Sequence, residues 1–163
     1  MIDYNKTDDE QAEDLKAWWK ENGISVIAGI ALAIAALFAW EYWQKYQIKT
    51  AKKYAEKGEY EPAITALRWA IDHTKDVDLK NVASIRLARV LASAGKYDEA
   101  LQLASQSYGA SYESVLEEIK GDIYSAQKKT EEARKAYERA ILSAKNNSSE
   151  LIKIKLDNLG KGA

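Results

Sequence analysis

The chain contains no cysteine, a single proline and a single histidine among its 163 residues. Without cysteine there are no disulfides, thiolate metal sites or cysteine nucleophiles, and neither an oxidising nor a reducing compartment is excluded. One proline, Pro62, leaves almost nothing to interrupt helices, and the abundance of Ala, Leu, Glu and Lys favours helix nearly throughout. His73, in Asp72-His73-Thr74, has no second histidine or clustered carboxylate near it in sequence, so it is a poor metal ligand or catalytic base. Neither GxGxxG nor GxxxxGK[ST] occurs, so no loop cradles a phosphate. The acidic pairs Glu117-Glu118 and Glu131-Glu132 are adjacent in sequence. On a helix, neighbours point about 100° apart, so each pair is expected to be solvated surface, not an acid/base dyad. These absences lead to the expectation of a non-enzymatic protein with no cofactor. The formal net charge of −1 argues against a nucleic-acid footprint.

Apolar residues are concentrated in one run. Ile24 to Trp43 reads ISVIAGIALAIAALFAWEYW, with no charge before Glu41 and Ser25 as its one polar side chain up to Trp40. Twenty helical residues rise roughly 30 Å, about the thickness of a bilayer's hydrocarbon core. Trp18 and Trp19 precede the run, and Trp40, Tyr42 and Trp43 close it, as membrane interfaces favour. A signal peptide would have a basic start, a shorter run and a small-residue exit. Here the start is acidic and the exit bulky. Asn22-Gly23 reads as a helix start or as a junction between an amphipathic helix and the span. The flanking lysines, Lys6, Lys16 and Lys20 before the span against Lys45, Lys49, Lys52, Lys53 and Lys57 after it, favour a cytoplasmic soluble domain. The margin is small, and charge leaves the orientation open.

The remainder repeats itself. Gly58-Glu59-Tyr60-Glu61-Pro62-Ala63, Gly95-Lys96-Tyr97-Asp98-Glu99-Ala100 and Lys128-Lys129-Thr130-Glu131-Glu132-Ala133 align, with the alanines 37 and 33 residues apart. This spacing brackets the 34-residue tetratricopeptide period. The glycine ends one helix in a left-handed conformation, the acids open the next, and the alanine lets the two helices approach closely. Ala63 is followed by Leu67 and Ala70, and Ala133 by Tyr137 and Ala140. Gly121 and Tyr124, like Ala88 and Leu91, fill the matching first-helix slots, which makes Gly121 a packing residue. The first repeat's first helix, Gln47 to Lys57, runs straight out of the span. At the other end, Asn147-Ser148-Ser149-Glu150 resembles a capping box, and Leu151, Ile152, Ile154, Leu156 and Leu159 supply an apolar stripe for a terminal helix that covers the last repeat. The expected fold is all-α: an acidic tail over 1–22, a transmembrane helix over 23–43, a tetratricopeptide-like solenoid over 44–145 and a C-terminal capping helix over 146–163.

A stack of this kind has a concave face lined by first helices. The register places Ile85, Arg89, Ala92, Glu118, Asp122 and Ser125 on it, with Arg86 at its edge, a mixture suited to an extended peptide or a partner's helix. Reversing Arg89 and Asp122 is expected to weaken a partner docked there and to leave the fold intact. The span offers a second candidate contact, the small-residue face Gly29, Ala33 and Ala36.

Four segments carry a family resemblance. They are Glu21-Asn22-Gly23 entering the span with Trp40-Glu41-Tyr42-Trp43 leaving it; Asp78-Leu79-Lys80 followed by Ile85-Arg86-Leu87-Ala88-Arg89-Val90; Ile119-Lys120-Gly121-Asp122; and Ile154-Lys155-Leu156-Asp157-Asn158-Leu159. In this order they resemble the ancillary SecYEG translocon subunits of Gram-negative bacteria. The chain departs from that pattern by lacking helical sequence between the span and the first clear repeat. The resemblance implies a bacterial inner-membrane protein with a cytoplasmic N-terminus and periplasmic repeats. It further implies association with the SecYEG translocon and with a membrane-anchored periplasmic chaperone of the prolyl-isomerase type, and the passing of newly translocated client polypeptides to periplasmic chaperones. The bilayer is then a partner, and nucleic acid is not. The alternative is a cytoplasm-facing, membrane-anchored tetratricopeptide scaffold or regulatory protein in envelope assembly.

Overall fold

The computed structural model describes residues 8–144 and 149–159. Among these lie seven α-helices: α1 (Asp8–Glu56), α2 (Tyr60–His73), α3 (Val77–Ser93), α4 (Tyr97–Ala104), α5 (Glu113–Ala126), α6 (Thr130–Ser143) and α7 (Glu150–Asp157), with a 3₁₀ turn at Ala110–Tyr112 before α5. The chain divides into two compact units between Trp43 and Gln44.

In the first unit, α1 runs through Asn22-Gly23 without a break, which corrects the expected junction. The cause is local. Asn22 donates its side-chain amide to the Trp18 carbonyl at 3.0 Å instead of capping a new helix. The Trp19 indole lies over Gly23, where a Cβ would come within 3.2 Å of the ring. The apolar run beyond is uncovered: Ile24 is 84% and Leu32 72% exposed within the protein. A core helix would be covered, so this stretch is long and apolar enough to cross a membrane and is not the centre of a soluble fold.

The second unit begins with the last turns of α1. Ile48 and Ala51 are buried there, and Gln44 donates to the His73 carbonyl at the end of α2 at 2.9 Å. Three turns then repeat one geometry. Gly58, Gly95 and Lys128 have φ of 75°, 76° and 61°. In each turn the next residue's N–H reaches back to the helix: Glu59 to Tyr54 O, Lys96 to Leu91 O and Lys129 to Tyr124 O, all at 2.9 Å. The left-handed residue itself bonds one carbonyl later, at Ala55, Ala92 and Ser125. These are Schellman ends, and they confirm the register read from the repeats. At the third turn a lysine holds a conformation that glycine adopts without a Cβ penalty. Lys128→Gly is therefore expected to stabilise the domain by about 0.5–1 kcal/mol, read as a higher denaturation midpoint at unchanged cooperativity.

The aligned alanines Ala63, Ala100 and Ala133 are each 0% exposed, as are Ala70 and Ala140 one face-repeat later. Pro62 sits in the first turn of α2, where its missing N–H costs nothing, and Asp76 caps α3 by accepting from Asp78 and Leu79. One core joins α1 through α5 around Leu67, Leu91, Ile119 and Ile123. A smaller one joins Ala133, Tyr137 and Ala140 of α6 to Ile152 of α7. Ala133→Leu is expected to cost about 1–3 kcal/mol by overpacking at the closed helix contact. Ala126→Leu, at an exposed site, should cost much less. Equal midpoints for the two variants would contradict the alignment.

The terminal stripe is narrower than expected. Ile152 is buried and Leu156 and Leu159 are partly covered, but Leu151 is 71% and Ile154 49% exposed. Asn147 and Ser148 of the expected capping box lie outside the described residues. Ser149, the described residue before α7, makes no side-chain cap bond among them.

Candidate partner-binding groove

The first helices α3 and α5 and the terminal helix α7 bound a groove of about 350 Å³. Arg89 and Ala92 of α3 line it, with Glu118, Asp122 and Ala126 of α5 and Lys155 of α7. Of the residues expected there, Arg89, Ala92, Glu118 and Asp122 are brought together. Ile85 is buried in the main core, Ser125 is exposed, and Arg86 lines a separate hollow.

The groove's charges are already engaged with one another. Glu118 accepts from two cations on different helices, Arg89 Nη2 at 3.3 Å and Lys155 Nζ at 2.7 Å. Lys155 also donates to both carboxylate oxygens of Asp122 at 2.8 Å. The Tyr137 hydroxyl donates to Asp122 Oδ1 at 2.8 Å. Burial alone would lower the Lys155 pKa, but hydrogen bonds and charge from Asp122 and Glu118 more than offset it, and the net shift is upward. Burial, with Asp122 and Glu118 beside it, raises the Tyr137 phenol strongly. Asp122 is thus a structural carboxylate. The expectation that reversing it would leave the fold intact is corrected, because a lysine there would face Lys155.

Lys155 and the Tyr137 hydroxyl are the functional-face groups that the sequence reading missed. Lys155 lies inside the apolar tail Ile154-Lys155-Leu156, and its partners are 33 and 37 positions away. No local pattern signals such a contact. A helical wheel of the tail would have set Lys155 on the same face as Ile152, three residues before it, marking a cation on the packed side of the helix.

The adjacent acids Glu117 and Glu118 diverge as the helix requires, yet the expectation that they are solvated fails. Glu117 is buried on the far side of α5, accepting from Lys120 Nζ and Arg139 Nε at 2.7 Å each. Each carboxylate thus holds two cations. His73 lies stacked on Trp69, ring centroids 4.4 Å apart, with Nδ1 2.8 Å from the Trp69 carbonyl.

A family model described as a tetratricopeptide repeat-like domain matches residues 16–53 and 47–161. Among curated proteins, the chain is similar to the ancillary SecYEG translocon subunit of Haemophilus influenzae, 25% identical over 96% of this chain and 99% of the relative. It is 22% identical to the protein of the same name from Escherichia coli over 94% of this chain and 97% of that one. The Neisseria gonorrhoeae protein of that name is 37% identical over 61% of this chain and 49% of its own length. The alignment with the Haemophilus protein runs over 202 positions, so that relative carries residues that this 163-residue chain lacks. No solved structure matches.

Proposed function

Since the chain belongs to the tetratricopeptide repeat-like domain family, we propose that it is a membrane-anchored, non-catalytic accessory of a SecYEG translocon. In this reading α1 holds the protein in the inner membrane with its N-terminus in the cytoplasm. The repeats stand in the periplasm and pass newly translocated polypeptides to a membrane-anchored chaperone of the prolyl-isomerase type. The observation that carries the reading is the near full-length similarity to proteins named ancillary SecYEG translocon subunits, spanning both the apolar stretch and the repeats. The groove supports it as a binding surface, with two acids of α5 and one cation each from α3 and α7 around an apolar floor of Ile119 and Ile123.

A second reading keeps its place on one observation. The five lysines following the span, against three before it, favour a cytoplasmic repeat domain acting as a scaffold in envelope assembly. A single cysteine at position 163 separates the two. Labelling by a membrane-impermeant thiol reagent in cells with a permeabilised outer membrane is expected under the translocon reading, and its absence overturns it. Co-purification of SecYEG then tests the partner. If replacing the span abolishes co-purification and groove variants leave it unchanged, the span, which carries the small-residue face Gly29, Ala33 and Ala36, is the binding element and not the groove.

A further inference from the structure

Beside the groove lies a smaller hollow of about 290 Å³ with a different character. Its floor is apolar: Ala51 and Leu67 are almost wholly buried, and Ala55 and Val90 complete it. Its rim is cationic: Lys52 from the last turns of α1, and Arg86 and Arg89 one helical turn apart on α3. Little negative charge answers them. Arg86 is exposed and forms no ion pair among the described residues. Lys52 meets Glu56 at 3.6 Å, both side chains more than half exposed, a pair of the weakest kind. Arg89 shares Glu118 with Lys155 at the longer of the two distances. Three cations around one concavity raise its potential and attract an anion.

From this juxtaposition we infer that the hollow is a docking site for an extended partner segment in which an acidic side chain neighbours an aliphatic one. The guanidinium of Arg86 presents a planar fork that matches a carboxylate, and the unpaired edge of Arg89 stands one turn away on the same helix. The aliphatic neighbour would rest on Ala55, the part-exposed residue of the floor, and on the alkyl stems of Lys52 and Arg86. The assignment concerns the chemistry of the occupant and stands apart from which assembly the protein serves, so a failure to co-purify SecYEG leaves it untouched.

The test uses the full chain in a neutral detergent and two fluorescent, C-terminally amidated peptides, one alternating leucine with glutamate and one alternating leucine with glutamine. The wild-type protein is expected to bind the glutamate peptide about tenfold more tightly than the glutamine peptide. Raising salt from about 0.1 M to about 1 M, which shortens screening from about 10 Å to about 3 Å, should erase most of that preference. Arg86→Gln should reduce the affinity about tenfold at unchanged helicity, and Arg86→Lys should restore it only in part. Lys75→Gln, which removes one exposed charge from the loop between α2 and α3, should change nothing. Equal binding of the two peptides, no binding, or an Arg86→Gln protein that behaves as wild type or as Lys75→Gln overturns the inference. So does loss of binding to phosphatidylglycerol vesicles in Arg86→Gln with no peptide binding at all, an outcome that assigns the hollow to lipid.

Discussion

Gly121→Leu is expected to destabilise the repeat domain by about 4 kcal/mol, at the upper end of single-residue effects. Leucine is the better helix former by nearly 1 kcal/mol, so propensity alone predicts the opposite sign. Packing decides the matter. A Cβ at position 121 would lie 2.5 Å from Cδ1 and Cε1 of the Tyr137 ring. That ring cannot swing aside freely, because it is 3% exposed and its hydroxyl is tied to Asp122 on the same helix as Gly121. The check is a denaturation series in which Tyr137→Ala is combined with each variant. If the clash is the cause, leucine at 121 costs far less once the ring is gone. An additive pair of effects would show that Gly121 is needed for another reason.

Lys155→Glu should cost about 3 kcal/mol, through the loss of charge-assisted hydrogen bonds to Glu118 and Asp122 and the gathering of three carboxylates in one groove. The figure stays below that for a fully buried pair, since Lys155 and Asp122 remain partly exposed. Lys155→Met, which keeps the apolar stem, should cost less. The same cluster sets an alkaline limit. Lys155 and Tyr137 both have folded pKa values raised above their ordinary values of about 10. Their stabilisation is therefore fully present below that pH and is lost as pH rises through the raised values. Asp122 is a cause of both shifts, so Asp122→Asn should flatten the stability profile above about pH 10. A wild-type profile that is already flat there contradicts the network.

The repeats were legible because their constraints are local. A left-handed turn needs glycine or a tolerated substitute, a close helix contact needs alanine, and both recur at fixed offsets in the sequence. Gly58, Gly95 and Lys128, with Ala63, Ala100 and Ala133, therefore declared the register, and the resemblance to ancillary SecYEG translocon subunits is borne out by the relatives. The continuity of α1 was less legible, since Asn22-Gly23 is a helix-end signal unless Trp19 covers the glycine. Least legible was the groove. Register alone placed Arg89, Glu118 and Asp122 on the concave side, but which charges neutralise which depends on a lysine from the far end of the chain. Ile85 went astray by a fraction of a turn, enough to move a side chain from groove to core.

The smallness of α7 has a consequence in populations. It buries one side chain fully, Ile152, so release of this helix forfeits little apolar burial beyond Leu156 and Leu159. Lys155 supplies much of what holds it. Detachment of so short an element lies at the low end of the opening free energies within a fold. In a minor form opened at α7, Glu118 would keep Arg89 and Asp122 the Tyr137 hydroxyl, but both would lose Lys155 and the groove would be wider by a helix. A basic segment that binds only the minor form would see an affinity reduced by that form's fractional occupancy. Any change that loosens Lys155 would raise its apparent affinity without touching a contact residue.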